Sequence, residues 1–232
     1  MDQPMDNECF NFGIRIVACN EILQMVETDV HYMDLRFCTA MVNSTRGKKF
    51  RVKPNIQSLA KLFDSWPGID YKISSRKVVL LPYASMDHFN LFSIDKHNSC
   101  VYIIDPVSMP TSSESKLVRS HKTSLKLQRV AIYLSDALGL AQPGWDADIF
   151  FWPRRSPVGI PQSPSINASG YFVFYIMISC DGKKVVHPIS TNVAELRKNF
   201  LVRLLKYDKN EAEENIPYIV RHILKSIEEE IF

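Results

Sequence analysis

Three short apolar segments in the middle of the chain have the composition of β-strands. They cover residues 77–82, 89–94 and 100–105, and each is rich in β-branched or aromatic residues and bounded by turn residues. Residues 95–99 between the last two segments are polar, as in a hairpin connection. The pattern therefore predicts that the second and third strands pair antiparallel.

Helical spacing of apolar residues dominates the rest of the chain. It predicts helices at residues 55–63, 120–140, 171–180, 193–207 and 216–231. Residues 14–26 fit a helix or a strand running into one, and their periodicity leaves both open. The aromatic cluster at 150–152 predicts a further strand, and the proline-rich segment 153–165 a loop.

The grouping of strands between helices predicts an α+β fold. The sequence shows no internal repeat and no linker long enough to divide it, so we expect one domain over residues 1–232. Residues 1–11 are polar and acidic, and we expect them to be flexible.

Composition narrows the functional classes. Hydrophobic residues make up 46% of the chain, and the formal net charge is only +3, which argues against a dedicated nucleic-acid partner. Five cysteines without a CxxC pair argue against a disulfide framework and a zinc site, so we expect no metal and no cofactor. A secretory leader and an apolar run of about 18 residues are also missing, which predicts no membrane partner and a location in the nucleus or cytoplasm.

Residues 161–171 carry the strongest chemical signal. Pro161 and Gln162 form a turn that leads to Ser169 and Gly170, and a buried helix is predicted to follow. A cysteine protease sets its nucleophile at such a helix start, where the helix dipole favours the thiolate. In this chain, a serine stands at that position.

Two further residues complete a candidate triad. His88 precedes the second predicted strand, and Asp105 ends the third, 17 positions later (105 − 88). If these strands are antiparallel neighbours, both residues lie at the same end of the sheet. A histidine oriented by a carboxylate is the general base that a cysteine nucleophile needs.

The order of these motifs resembles the ubiquitin-like-protein-specific proteases, the SUMO and NEDD8 proteases, and most closely their plant branch in transposon-related genes. The specific segments are 80–89 with His88, 101–106 with Asp105, and the Ser169-Gly170 pair; weaker similarity lies at 31–37 and 196–202. The resemblance implies a papain-like cysteine-protease fold, with a central mixed β-sheet flanked by helices. It also implies a ubiquitin-like protein of the SUMO or NEDD8 type as partner.

The same resemblance assigns candidate roles. His88 is the base, Asp105 orients it, Ser169 holds the nucleophile position, and Gln162 is a possible oxyanion donor. Phe89, Gly170 and Trp152 are candidate binding residues, although Trp152 fits core or rim packing better than a substrate contact.

Several residues depart from the family pattern. Ser169 replaces the cysteine, Ala168 an acidic residue, and Phe89 a tryptophan, while Ser163 stands where the oxyanion glutamine is expected. A serine has a far higher pKa than a thiol and is a poor nucleophile in such a site, so we expect little or no peptidase activity. An engineered Cys→Ser change would affect one position, whereas four departures favour natural degeneration.

Three functions remain open at this point. The domain could be a catalytically degenerate protease that binds or regulates a partner. It could instead be an isopeptidase whose nucleophile alone has been replaced, by nature or by design. A transposon-derived protein with an unrelated host role is the third possibility.

Overall fold

A mixed five-stranded sheet forms the centre of the protein, which we describe from a computed structural model. The structure describes residues 3–19, 29–43, 53–64, 71–84, 88–107, 113–208, 210 and 213–229. The strands follow the order β1 (Val30–Tyr32), β2 (Val78–Ala84), β3 (Phe89–Asp95), β4 (Cys100–Ile104) and β5 (Arg154–Arg155). Strands β2, β3 and β4 are antiparallel neighbours, whereas β1 and β5 join the two edges in parallel.

Seven α-helices surround the sheet in the described part of the chain. They are α1 (Asn7–Cys19), α2 (Arg36–Asn43), α3 (Ile56–Asp64), α4 (Ser113–Ala141), α5 (Ser169–Ser179), α6 (Val193–Leu205) and α7 (Tyr218–Glu229). Short 3-10 helices lie at Ile73–Ser75, Ile149–Phe151 and Glu213–Asn215. None of the described helices is both long and apolar enough to cross a bilayer.

Each face of the sheet packs against its own set of helices, because successive side chains of a strand point to opposite faces. On one face, Leu80, Leu91 and Ile104 pack with α1, α5 and α6. On the other face, Val79 and Phe92 pack with α2, α3 and α4. Helix α5 is apolar nearly all round because it is enclosed by the sheet, α1 and α6.

The structure confirms the predicted α+β fold with its mixed sheet and flanking helices. The three predicted central strands correspond to β2, β3 and β4, and the predicted buried helix corresponds to α5. The ambiguous segment 14–26 is helical as far as Cys19, and residues 20–28 lie outside the described residues.

The strand predicted at residues 150–152 was wrong. Ile149–Phe151 forms a 3-10 helix because the Asp148 side chain accepts a hydrogen bond from the Phe150 N–H and caps the turn. Residues 3–11 also differ from the expected flexible segment. Met5 and Phe10 are buried in the core beside α5, and α1 already begins at Asn7.

Candidate functional site

His88 and Asp105 lie together at one end of the central sheet. The pairing of Leu91 with Ile104 between β3 and β4 brings the residue before β3 next to the residue after β4. The Nε2 atom of His88 lies 3.1 Å from Oδ2 of Asp105. The second carboxylate oxygen, Oδ1, accepts a hydrogen bond from the Val107 N–H at 3.0 Å, which fixes the carboxylate. The pair has the geometry of a histidine oriented by a carboxylate.

Ser169 begins α5 and is fully buried, with 0% of its surface exposed. Its hydroxyl donates a hydrogen bond to the Ile166 carbonyl at 2.6 Å and accepts one from the Phe89 N–H at 3.0 Å. A serine hydroxyl has a single proton to donate. In this structure, that proton is directed to the Ile166 carbonyl and not to an imidazole.

Gly170 and Phe89 lie beneath the N-terminal segment of the chain. A Cβ atom on Gly170 would sit 2.8 Å from Cβ of Met5 and 3.3 Å from the Phe89 ring. The Phe89 ring in turn lies 5.2 Å, centroid to centroid, from the ring of Phe10 on α1. The structure therefore brings these two candidate binding residues together with Ser169 but buries them.

Gln162 and Ser163 lie in the loop that leads to α5. The exposed Gln162 amide donates to the carbonyl of Ile160 in the same loop at 3.1 Å. Ser163 is buried; its N–H donates to the Pro106 carbonyl at 2.7 Å, and its hydroxyl to the Ser165 carbonyl at 2.6 Å. The loop is thus tied to the segment that carries Asp105.

Trp152 lies apart from the other candidates. It is half-buried, and it packs against the core on the sheet face that holds α2, α3 and α4. Phe89 and Gly170 lie on the opposite face, beside α5. The structure does not bring Trp152 into one site with them.

The buried thiols are not poised for nucleophilic chemistry. Burial raises the pKa of the Cys180 thiol to about 11 and also raises the pKa of the Cys38 thiol. A thiol with such a pKa is protonated at pH 7 and is not an activated nucleophile. Across the described ranges, no three His, Cys, Asp or Glu side chains gather as metal ligands would.

Two contacts, one at the site and one outside it, were not predicted from the sequence. Met5, an isolated apolar residue in a polar segment, packs on Gly170. Asp34, in the weakly similar segment 31–37, is buried and pairs with Arg36 at 2.7 Å and with Arg15 at 3.2 Å. A lone methionine among polar residues was the only signal of the first contact, and its partner could not be inferred.

Comparison with known proteins identifies the fold. No protein-family model matches the chain, and no curated protein matches its sequence. Among solved structures, the C-terminal Ulp1 protease domain in complex with Smt3, the yeast ortholog of SUMO, aligns with a TM-score of 0.53 at 14% identity. That alignment covers 88% of this chain and 76% of the Ulp1 chain.

Two further neighbours have the same fold. The Xanthomonas campestris effector XopD bound to ubiquitin aligns with a TM-score of 0.53 at 13% identity, over 86% of this chain and 90% of its own. The SUMO protease Ulp1 with its catalytic cysteine oxidised to a sulfenic acid aligns with a TM-score of 0.55 at 13% identity, over 88% and 77% of the two chains. The chain therefore has the fold of the Ulp1-like proteases.

Proposed function

We propose that this domain binds a ubiquitin-like protein and does not cleave it. The observation that carries the proposal is the state of Ser169, which is fully buried and gives its hydroxyl proton to the Ile166 carbonyl. The fold supports the partner class, since neighbours with this fold were solved with Smt3 and with ubiquitin. Binding needs the surface of the protease fold, whereas cleavage needs an activated nucleophile.

The chemistry of the site argues against a working serine hydrolase. A serine nucleophile must pass its proton to the general base as it attacks. His88 is paired with Asp105, but the Ser169 hydroxyl donates its proton to the Ile166 carbonyl. The same hydroxyl accepts a hydrogen bond from the Phe89 N–H. Attack by this hydroxyl would require both hydrogen bonds to break inside a buried site, and an unmet buried polar group costs about 1–3 kcal/mol.

A groove between α1, α2 and α3 is the candidate surface for the body of the partner. It has a volume of about 640 Å³, and its lining combines apolar residues such as Leu59 and Leu62 with the charged Arg36 and Lys53. A lining that combines apolar and polar residues is found in many protein interfaces. Helix α1 links this groove to the Ser169 position, because α1 also packs on α5.

Binding measurements with purified SUMO-type, NEDD8-type and ubiquitin proteins test the proposal. We expect a dissociation constant in the micromolar range for at least one of them and no cleavage of its precursor. Ala40→Arg places a long charged side chain in the groove and should weaken binding at least tenfold. The control Leu140→Arg alters a residue that is already 52% exposed on α4 and should leave binding unchanged. Failure of all three proteins to bind at 100 µM would contradict the proposal.

An isopeptidase with only its nucleophile replaced is the second candidate, favoured by the 3.1 Å contact between His88 and Asp105. Ser169→Cys separates the two functions. We expect the restored thiol to remain inactive on SUMO and NEDD8 precursors, because Ala168 and Ser163 also depart from the protease pattern. Cleavage by Ser169→Cys, abolished again by His88→Ala, would establish the isopeptidase scaffold instead.

A further inference from the structure

The segment between β5 and α5 carries an exposed serine beside two arginines. Ser156 directly follows β5 and is exposed, as is Val158 two positions later, with 94% of its surface accessible. Arg154 and Arg155, the two residues of β5, are exposed as well. Residues 149–180 contain no aspartate, glutamate or lysine, so the two arginines are the only charged residues in that stretch. A serine hydroxyl is thus presented to solvent in a positively charged part of the surface.

Pro157 restricts the backbone around Ser156. The helical region is disfavoured for a residue that precedes proline, which keeps Ser156 extended, and proline itself has no N–H to donate. Ser156 and Pro157 accordingly belong to neither a helix nor a strand, and the chain bends at Val158 and Gly159, where φ is +77° at the glycine. An exposed and extended Ser-Pro pair is the form of substrate that a proline-directed serine kinase accepts.

A second Ser-Pro pair in the same loop has different surroundings. Ser163 also precedes a proline, but it is only 6% exposed. Its N–H donates to the Pro106 carbonyl at 2.7 Å, and its hydroxyl donates to the Ser165 carbonyl at 2.6 Å. Transfer of a phosphoryl group to this hydroxyl would require both hydrogen bonds to break and the buried segment to open. Of the two Ser-Pro pairs, therefore, only the one at Ser156 is accessible.

We propose that Ser156 is a phosphorylation site for a proline-directed serine kinase and that Arg154 holds the phosphate. The kinase transfers the γ-phosphoryl group of ATP to Oγ of Ser156. The new Oγ–phosphorus bond forms as the bond from that phosphorus to the β,γ-bridging oxygen breaks; the hydroxyl proton passes to the base of the kinase, and ADP leaves. At pH 7 the phosphate carries a charge of about −1.5 to −2, which offsets most of the charge of the two arginines. Phosphorylation of Ser156 does not depend on the binding of a ubiquitin-like protein.

Arg154 suits this role because it lies two positions before Ser156. Residues two apart in an extended chain face the same side, whereas Arg155 faces the other. Nη2 of Arg154 donates to the Phe150 carbonyl at 3.0 Å, and the guanidinium lies 5.9 Å from the centre of the Phe150 ring. A phosphate accepts two parallel hydrogen bonds from one guanidinium, whereas this carbonyl accepts one, so the phosphate should displace it. Among the described residues, no carboxylate pairs with either arginine and competes with the phosphate.

Kinase treatment of the purified native protein tests the modification. The protein is incubated with a kinase of the cyclin-dependent class and magnesium ATP, and mass spectrometry follows the phosphate at each serine. A buried hydroxyl reacts only in molecules that open locally, so we expect Ser156 to be phosphorylated at least about ten times faster than Ser163, the matched control in the same molecule. Pro157→Ala should slow the reaction at Ser156 by a similar factor. Equal rates at the two serines, no phosphate on Ser156, or an unchanged rate with Pro157→Ala would each overturn the inference.

Phosphorus NMR of the phosphorylated protein tests the role of Arg154. The phosphate signal, followed as the pH is changed, gives the second pKa of the phosphate, which is about 6 without a partner. A nearby cation favours the dianion, so we expect this pKa to lie below 6 and Arg154→Gln to raise it by about 0.5. Arg155→Gln is the matched control: the same change at an equally exposed neighbour should raise the pKa less. A rise with Arg155→Gln as large as that with Arg154→Gln, or no rise with either, would overturn the assignment of the phosphate to Arg154.

Discussion

Acid should destabilise this protein through one buried histidine, His31. This residue lies in β1 and is fully buried; its Nδ1 is 3.0 Å from the Tyr71 hydroxyl and its Nε2 is 3.1 Å from Sδ of Met33. Burial lowers the pKa of His31 to about 3, and the nearby Arg76 guanidinium acts in the same direction. In the unfolded chain the pKa of a histidine returns to about 6.5.

The direction in which pH changes the stability follows from the order of these two pKa values. Between pH 6.5 and about 3, the unfolded chain binds a proton at His31 that the folded protein does not, so folding becomes less favourable as the pH falls. Each pH unit below 6.5 costs about 1.4 kcal/mol, and lowering the pH from 7 to 5 should therefore remove about 2 kcal/mol of stability. Above pH 6.5 the residue is neutral in both states and contributes no pH dependence.

Urea unfolding at pH 7 and pH 5 measures this effect, because the transition midpoint and slope give the free energy of unfolding at each pH. His31→Gln removes the titrating group while keeping polar atoms, and its loss of stability between pH 7 and 5 should be about 2 kcal/mol smaller than that of the native protein. His97→Gln is the control, since His97 is exposed and the same chemical change there should preserve the native pH dependence. If His31→Gln and the native protein lose the same stability between pH 7 and 5, the attribution to His31 is wrong.

Two further substitutions test packing and capping around α5 and α6. Gly182→Ala should lower the free energy of unfolding by about 2–4 kcal/mol in urea titrations. The reasons are that φ is +96° at Gly182 and that an added Cβ would lie 2.7 Å from Val78. A loss of stability below about 0.5 kcal/mol would contradict the close contact. Asn192→Ala removes the side-chain oxygen that accepts hydrogen bonds from the N–H groups of Ala194 and Glu195 at the start of α6. This change should lower the free energy of unfolding by about 1 kcal/mol in the same assay. Asn192→Asp is the control and is expected to retain the cap.

The sequence predicted the parts of the site that depend on neighbouring strands. A short polar connection between two apolar segments predicts the antiparallel pairing of β3 and β4. This pairing places the residue before β3 and the residue after β4 at the same end of the sheet. His88 and Asp105 therefore could be placed side by side without a structure. The turn before α5 was visible for a similar reason, since it is local in sequence.

Other parts of the site depend on contacts that local sequence does not encode. Every residue of β3 is buried, so alternation of apolar and polar residues cannot say which side chain faces which layer of helices. The face on which Phe89 lies could not be predicted for that reason. The contact of Met5 with Gly170 joins residues 165 positions apart (170 − 5), and no periodic pattern reports such a pair.

The hydrogen bonds of Ser169 explain why a serine suits this position in the fold. Through one hydroxyl, Ser169 joins the first residue of β3, Phe89, to the loop at Ile166, so it ties the sheet to the start of α5. A thiol is a weak donor and a weak acceptor and would hold these two parts less firmly. A surface whose parts are already fixed loses less conformational entropy when a partner binds, which favours affinity. The two hydrogen bonds of Ser169 therefore fit the proposed binding function, in which the start of α5 and the sheet stay fixed relative to each other.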